Sequence, residues 1–179
     1  MTNGELAILS LVVEQPRHGY EIEQVIHKRG MRDWTEMGFS SIYFLLKKLE
    51  KAGLVESRSK PAAGRGPARK VYRATPAGIK VHHQGVFEAL STPRNLYPPF
   101  QFGLANIPSL RLVDVLNALQ QYRKGLIERR EVIRQKWESQ KPLPYFVDAM
   151  FDNSLALLKA ELDWVEKFIQ RVEAENDQA

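Results

Sequence analysis

Residues 39–56, FSSIYFLLKKLEKAGLVE, decide the fold that we expect for the N-terminal half of this chain. Four apolar residues of this stretch recur with helical spacing and share one face: Ile42, Leu45, Leu46 and Leu49. Four others lie roughly opposite that face, at about 100° per residue: Ser40, Phe44, Lys47 and Lys51. Gly53 should end the helix, because glycine readily adopts the left-handed conformation that follows many helices. A short helix with hydroxyls at its start and lysines along its outer face is typical of one that enters the major groove of DNA.

A basic segment follows this helix directly. Residues 57–73, SRSKPAAGRGPARKVYR, contain six basic residues and no acidic residue. Residues 55–60 and 70–74 can pair as two strands, and the small residues between them favour a loop at the tip. A basic hairpin after such a helix is typical of a wing that lies along DNA phosphates.

The composition limits the class of protein. With 179 residues, of which 44% are hydrophobic, the chain can form one large domain or two small ones. The absence of cysteine excludes disulfides and thiolate chemistry. No secretory signal opens the sequence, and no apolar run approaches the ~20 residues of a membrane span. We therefore expect a soluble, cytoplasmic protein.

The net charge of +5 is distributed unevenly. Residues 1–80 contain 14 Lys and Arg against 8 Asp and Glu, a net charge of +6. Residues 81–179 contain the remaining 12 basic and 13 acidic residues, a net charge of −1. The positive charge therefore lies in the same half as the predicted helix and wing, which indicates a localised nucleic-acid surface.

Caps and helix breakers mark the other predicted elements of the first half. Thr2 and Glu5 can form a capping box for a buried helix over residues 3–14, and a second helix is predicted over residues 18–29. Thr75 is a good N-cap for a helix that continues to about residue 90.

A proline-rich segment separates the two halves. Residues 91–103 contain three prolines and should not form a regular helix, so we interpret them as part of a junction between domains. The predicted organisation is a DNA-binding domain over residues 1–90, a junction over 91–108 and a helical domain over 109–179.

The helical domain is predicted to contain two long helices, over about residues 110–138 and 145–173. Along the second, six apolar residues recur at steps of three and four and form a heptad seam: Leu155, Leu158, Leu162, Val165, Ile169 and Val172. Part of the seam must pack against the first helix of the same chain. Because two helices alone make a thin core, the regularity of the seam favours a further contact with a partner chain, and hence a homodimer.

Three motifs stand in a familiar order: HGYEI at residues 18–22, SSIYFLLKKLEKAGLVESR at 40–58 and YRATPAG at 72–78. As an ordered set that includes the basic wing, they resemble the PadR-type transcriptional regulators over residues 1–80. The C-terminal half resembles, by shape, the longer PadR subgroup with an extra helical dimerisation domain. Phe44 departs from the family pattern, in which many members have proline.

The resemblance implies a mainly α fold with an N-terminal winged helix-turn-helix, a two-stranded wing and a C-terminal antiparallel two-helix dimerisation domain. It also implies a repressor that binds a palindromic operator in double-stranded DNA as a homodimer and often releases it when a small molecule binds. The helix that starts at Phe39 would enter the major groove, and Tyr20 and Tyr43 would lie near phosphates. The wing tip near Arg65 would reach the minor groove.

Charge, spacing and resemblance together predict ten DNA-binding residues: Tyr20, Ser40, Ser41, Tyr43, Phe44, Lys47, Lys51, Arg65, Arg69 and Lys70. Ser40 can contact DNA or merely cap the helix. Tyr43 can hydrogen-bond a phosphate or pack at the edge of the core. Contacts between basic side chains and phosphates release counterions, so the affinity for DNA should fall steeply with salt.

Aromatic residues outside the predicted DNA surface indicate where a small aromatic effector could bind. A flat ligand can stack on such side chains, and the candidates are Trp34, Trp137, Tyr145 and Trp164. The same side chains can instead fill the interdomain and dimer cores.

Other functional classes fit the sequence less well. An enzyme is not expected, because the four histidines lack partners at catalytic or metal-ligand spacing and the glycine-rich phosphate-binding motifs are missing. No catalytic residue, metal or cofactor is therefore predicted. Two alternatives stay open: a non-specific nucleic-acid-binding or architectural protein, and a helical protein-interaction module that uses the heptad seam.

Overall fold

The computed structural model describes residues 1–35, 41–60, 69–93 and 97–176, and it forms two compact units, Met1–Asn95 and Leu96–Ala179. The first unit contains α1 (Asn3–Glu14), β1 (Arg17–His18), α2 (Gly19–Lys28), α3 (Ser41–Lys51), β2 (Val55–Lys60), β3 (Arg69–Ala74) and α4 (Pro76–Ser91). The second unit contains α5 (Pro99–Ala105), α6 (Leu112–Gln140) and α7 (Tyr145–Asn176). Among the described residues, no helix combines the length and apolar character needed to cross a bilayer.

The central element of the first unit is α1, which begins at the predicted capping box. The backbone N–H of Glu5 donates to Thr2 Oγ1 (3.2 Å), and the backbone N–H of Thr2 donates to Glu5 Oε2 (2.7 Å). Apolar residues on several sides of α1 are buried: Ala7, Ile8, Leu9, Leu11 and Val12. One apolar face each of α2 and α3 packs into the same core: Ile22, Ile26, Ile42, Leu46 and Leu49. The predicted winged helix-turn-helix is confirmed.

The sheet of the first unit contains the two predicted strands and one strand that the sequence did not reveal. β2 and β3 pair antiparallel over their whole length, from Val55 opposite Ala74 to Lys60 opposite Arg69. β1 pairs with the other edge of β3. A strand of two residues has no readable alternation of apolar and polar residues. It is held by the buried Arg17, whose Nε donates to the carbonyl of Leu11 at 3.0 Å.

Thr75 joins β3 to α4 and attaches both to the end of α3. Its Oγ1 accepts a hydrogen bond from the N–H of Gly78 (3.0 Å), as predicted for an N-cap, and donates to the carbonyl of Gly53 (2.7 Å). Gly53 has φ of +70°, the left-handed conformation expected after α3. Gly78 lies so close to the backbone of Leu54 that a Cβ on it would be 2.0 Å from the carbonyl oxygen of Leu54. This joint therefore requires glycine at residue 78.

We predict that Gly78→Ala lowers the free energy of unfolding by about 1–3 kcal/mol, because the backbone at Leu54 and the start of α4 must separate to admit the methyl group. Urea unfolding of the whole chain, followed by circular dichroism, measures the change. Gly125→Ala in α6 is the matched control, because a Cβ there meets nothing within 4 Å. The control should be neutral or stabilising, and an equally stable Gly78→Ala variant would contradict the prediction.

The second unit is a hairpin of two long antiparallel helices, as predicted, preceded by a short helix that was not. The expectation that residues 91–103 form no regular helix is wrong, because α4 extends to Ser91 and α5 begins at Pro99. Pro99 occupies the first position of α5, where its missing N–H is not needed. Phe100 and Ile107 pack against the core of the hairpin, which explains why this segment is ordered into the second unit.

The heptad seam of α7 faces α6 of the same chain. Five of its six residues are buried: Leu158, Leu162, Val165, Ile169 and Val172. The sixth, Leu155, is half-buried. The buried five share a core with Val115, Leu119 and Leu126 of α6. The intramolecular hairpin thus accounts for the seam, and in this conformation its buried side chains are not available to a partner chain.

Candidate nucleic-acid interface

The exposed face of α3 is the one that the sequence predicted. The side chains opposite it, Ile42, Leu46 and Leu49, are at most 2% exposed. The outer side chains are Tyr43, Phe44, Lys47 and Lys51, all exposed, with 56% for Tyr43 and 67% for Phe44. The core therefore fixes the rotation of α3 so that a lysine and aromatic face is presented to solvent.

An ion pair attaches α3 to the start of α1. Lys48 Nζ lies 2.6 Å from Oε1 of Glu5, the same carboxylate that caps α1. The hydrogen bond from Lys48, followed by that from the Thr2 backbone, lowers the pKa of Glu5 against the opposing effect of burial. Lys48 therefore serves the fold, whereas Lys47 and Lys51 are directed away from it.

The wing strands add basic side chains beside α3. Arg58, Lys70 and Arg73 are exposed on β2 and β3. Ser57 Oγ donates to Glu50 Oε1 (2.5 Å), which links β2 to α3. The positive side chains of the wing and the outer face of α3 thus belong to one connected framework.

Three predicted DNA-binding residues meet at a cleft of about 640 Å³ that is formed by the end of β1, the start of α2, α3 and β3. Its lining is His18, Gly19, Tyr20, Glu21, Tyr43, Lys70 and Tyr72. Tyr20 and Tyr43 are more than half exposed, so their hydroxyls can reach a ligand. Two phenol hydroxyls and an ammonium group at one cleft suit a phosphate of the DNA backbone.

Sequence reasoning missed the other residues that build this cleft. His18 Nδ1 lies 3.1 Å from the carbonyl oxygen of Lys70, and the backbone N–H of His18 donates to Glu21 Oε2 at 2.7 Å. Tyr72 is buried beneath the cleft, and burial, followed by the nearby Glu50 carboxylate, raises its pKa. The HGY motif marked the place, but its spacing gave no indication that it contacts β3.

The structure describes only some of the residues predicted to contact DNA. Ser41 is the first residue of α3. Arg69 is the first residue of β3, and its side chain lies outside the described part. Ser40 and Arg65 lie outside the described residues, so their contacts stay predictions.

Two of the four predicted effector residues lie near the turn between α6 and α7. Trp137 stacks on Phe151, with ring centroids 6.2 Å apart, and donates its Nε1–H to Asp148 Oδ1 at 2.7 Å. Tyr145 is 86% exposed and meets Phe146 edge-on. The indole N–H of Trp137 thus already has a hydrogen-bond partner within the chain, whereas the ring of Tyr145 is open to solvent.

The other two effector candidates lie elsewhere. Trp34 is an exposed residue of the first unit. Trp164, thirteen residues beyond Phe151 on α7, stacks on Phe168 at 5.0 Å and meets Phe100 edge-on at 6.0 Å. Phe100 also stacks on Tyr122, and burial, with a hydrogen bond to Glu161, raises the pKa of Tyr122 to about 12. Within the second unit, the candidates therefore form two separate aromatic groups.

Comparison with known proteins gives a family match in the first unit. Residues 8–84 match the model of the transcriptional regulator PadR-like family. Comparison with curated proteins gives no match.

The fold resembles solved structures over nearly the whole chain. Bacillus subtilis PadR in complex with operator DNA is 20% identical, with a TM-score of 0.75 over 96% of this chain and 99% of that one. Bacillus subtilis PadR in complex with p-coumaric acid is 20% identical, with a TM-score of 0.76 over 94% and 98%. A PadR-like transcriptional regulator from Bacillus cereus is 18% identical, with a TM-score of 0.68 over 97% and 99%. Residues 8–84 of this chain therefore match the PadR-like family of transcriptional regulators, and the chain shares the fold of solved PadR structures over nearly its whole length.

Proposed function

We propose that this regulator is a ligand-responsive repressor that binds a palindromic operator in double-stranded DNA as a homodimer. The observation that carries the proposal is the cleft at which Tyr20, Tyr43 and Lys70 meet. A backbone phosphate bound there would fix the register of α3 in the major groove. The complex of Bacillus subtilis PadR with operator DNA, in a protein of the same fold, supports this proposal.

The remaining contacts are proposed from the exposed face of α3 and from the sequence. Lys47 and Lys51 lie along α3 and would reach phosphates, Ser41 at its start would reach base edges or phosphate, and Ser40 is proposed for the same role from the sequence alone. The two-thirds exposed ring of Phe44 suits apolar contact with thymine methyl groups. From the sequence alone, Arg65 and Arg69 of the wing are proposed to reach the narrow minor groove.

We predict that Lys47→Ala weakens binding and lowers its sensitivity to salt, because each subunit then neutralises one phosphate fewer. The slope of log affinity against log salt concentration should decrease by about 1 for each phosphate that is no longer neutralised. Fluorescence anisotropy with a labelled duplex from upstream of the protein's own gene measures both the affinity and the slope. Lys167→Ala, which removes an exposed lysine of α7, is the matched control and should change neither.

Unchanged affinity and slope for both Lys47→Ala and Arg65→Ala would contradict this placement of the DNA surface. A random duplex of the same length tests the architectural alternative, which requires both duplexes to lose binding together as salt rises. A palindromic operator predicts a footprint with two half-sites about one helical turn apart, near 34 Å.

A homodimer needs a surface other than the buried part of the heptad seam. A second stripe of α7 is exposed: Met150, Leu157 and Trp164 follow one another at seven-residue steps and are 40%, 60% and 44% exposed. Phe146, 58% exposed, lies on the same side of the helix. Apolar residues at heptad spacing suit contact with a partner helix, so we infer that a second copy of the chain covers this stripe.

We predict that Leu157→Lys shifts the protein from dimer to monomer, because it places a charge in an apolar contact. Sedimentation velocity measures the oligomeric state. Gln170→Lys adds the same charge on another, exposed side of α7 and should leave the dimer intact. A monomeric wild-type protein would contradict the dimer, and a dimeric Leu157→Lys variant would contradict this surface.

The proposed effector is a small aromatic acid. A protein of the same fold, Bacillus subtilis PadR, forms a complex with p-coumaric acid. The ring of Tyr145, 86% exposed in the second unit, offers a surface on which such a ring can stack. Trp34, Trp137 and Trp164 remain candidates from the sequence.

We predict that p-coumaric acid or a related phenolic acid changes the tryptophan fluorescence and releases the labelled duplex. The variants Trp34→Phe, Trp137→Phe and Trp164→Phe identify which indole reports the binding. A matched non-aromatic acid controls for ionic strength and should have no effect. The absence of any response over a broad panel of aromatic acids would contradict the ligand-responsive proposal.

A further inference from the structure

Gly19, the first residue of α2, is in contact with the ring of Tyr43 on α3. A Cβ at Gly19 would lie 2.6 Å from Cε1, 3.1 Å from Cζ and 3.3 Å from Oη of Tyr43. The φ angle of Gly19 is not positive, so its backbone conformation does not require glycine. The approach of the tyrosine ring is therefore the reason that a side chain does not fit there.

This contact restricts a side chain that would otherwise be mobile. Tyr43 is 56% exposed, and an exposed aromatic side chain on a helix can populate more than one rotamer. Contact with the α2 backbone at Gly19 limits the ring to orientations that keep its hydroxyl at the cleft. Holding the ring before DNA arrives removes an entropic cost that binding would otherwise include.

The preceding residue makes an equivalent link to the wing. His18 Nδ1 lies 3.1 Å from the carbonyl oxygen of Lys70, and a carbonyl only accepts hydrogen bonds, so Nδ1 donates. β1 also pairs with β3, with His18 opposite Val71. The backbone N–H of His18 is held by Glu21, which fixes the turn from β1 into α2.

We propose that His18 and Gly19 are positioning residues for DNA binding, which set the place of Tyr43 on α3 and of Lys70 on β3 through these two contacts. The inference rests on the proposed DNA surface. Neither residue needs to touch DNA. Their effect is to hold the recognition helix and the wing at a fixed separation, so that both can meet the backbone at the same time.

A double-mutant cycle on Gly19 and Tyr43 tests the first contact, with the labelled upstream duplex as probe. Tyr43→Ala should weaken binding about tenfold, as expected for the loss of a hydrogen bond to a charged group. Gly19→Ala should weaken binding by a similar factor in the wild type. In the Tyr43→Ala background it should cost less than about twofold, because the ring that it displaces is gone.

The proposal would be overturned if Gly19→Ala lowered the affinity for the duplex equally in the wild-type and Tyr43→Ala backgrounds. It would also be overturned if Gly19→Ala left the affinity of the wild type unchanged. If Gly19→Ala does not fold, the comparison of Tyr43→Ala with the double variant still decides, because removing the ring also removes the clash. Unchanged binding by Tyr43→Ala would overturn it too. The proposed DNA surface is tested separately by Lys47→Ala, so the two failures can be told apart.

A second series tests the link to the wing. His18→Asn retains a donor near the position of Nδ1 and should bind within about twofold of wild type, whereas His18→Leu should bind about fivefold more weakly. In a Lys70→Ala background, His18→Leu should have little further effect. If His18→Asn and His18→Leu lowered the affinity for the duplex equally, with unchanged thermal stability, the hydrogen-bond donor of His18 would not be used. That result would overturn the proposed role of His18.

Discussion

The burial of one face of α3 is the constraint on which the first unit depends. Ile42, Leu46 and Leu49 are packed with apolar side chains of α1 and α2, and full burial of each contributes about 1.5–3 kcal/mol. Rotating the helix about its axis would expose all three together. At about 100° per residue, fixing these three fixes the direction of every other side chain on α3. Phe44 and Lys47 therefore face outward because of the core, without needing any contact of their own.

Polar links then fix the neighbouring elements to α3. The Lys48–Glu5 ion pair connects it to α1, the Ser57–Glu50 hydrogen bond connects it to β2, and Thr75 connects its C-terminal end to α4. The links made by Lys48 and Thr75 join residues that are distant in sequence, the link made by Ser57 joins consecutive elements, and none of the three uses Phe44, Lys47 or Lys51. The framework can therefore be rigid while the exposed face stays open to a partner.

The sequence predicted the features that depend on residues close together in the chain, and it missed those that depend on residues far apart. The capping box at Thr2, the end of α3 at Gly53 and the cap at Thr75 were predictable because each depends on residues within a few positions. β1 was not, because two residues carry no period and the strand exists only through pairing with β3. The seam of α7 shows the same limit, since its period identified a buried face but not whether α6 or a second chain covers it. The cleft joins residues from four segments, and only the folded chain brings His18 to Lys70.

The division between framework and exposed face has a consequence for how such regulators can diverge. Solved structures that share about a fifth of their residues with this chain keep its fold over almost its whole length. The motif residues of the first unit act inside the fold: Gly78 permits the contact with Leu54, Thr75 caps α4, and Gly19 makes room for Tyr43. No packing constraint of this kind acts on the exposed Phe44 or Lys47. Under the proposed function, substitutions at those positions change which DNA sequence is read at little cost to stability, because the core already determines where any replacement side chain will be directed.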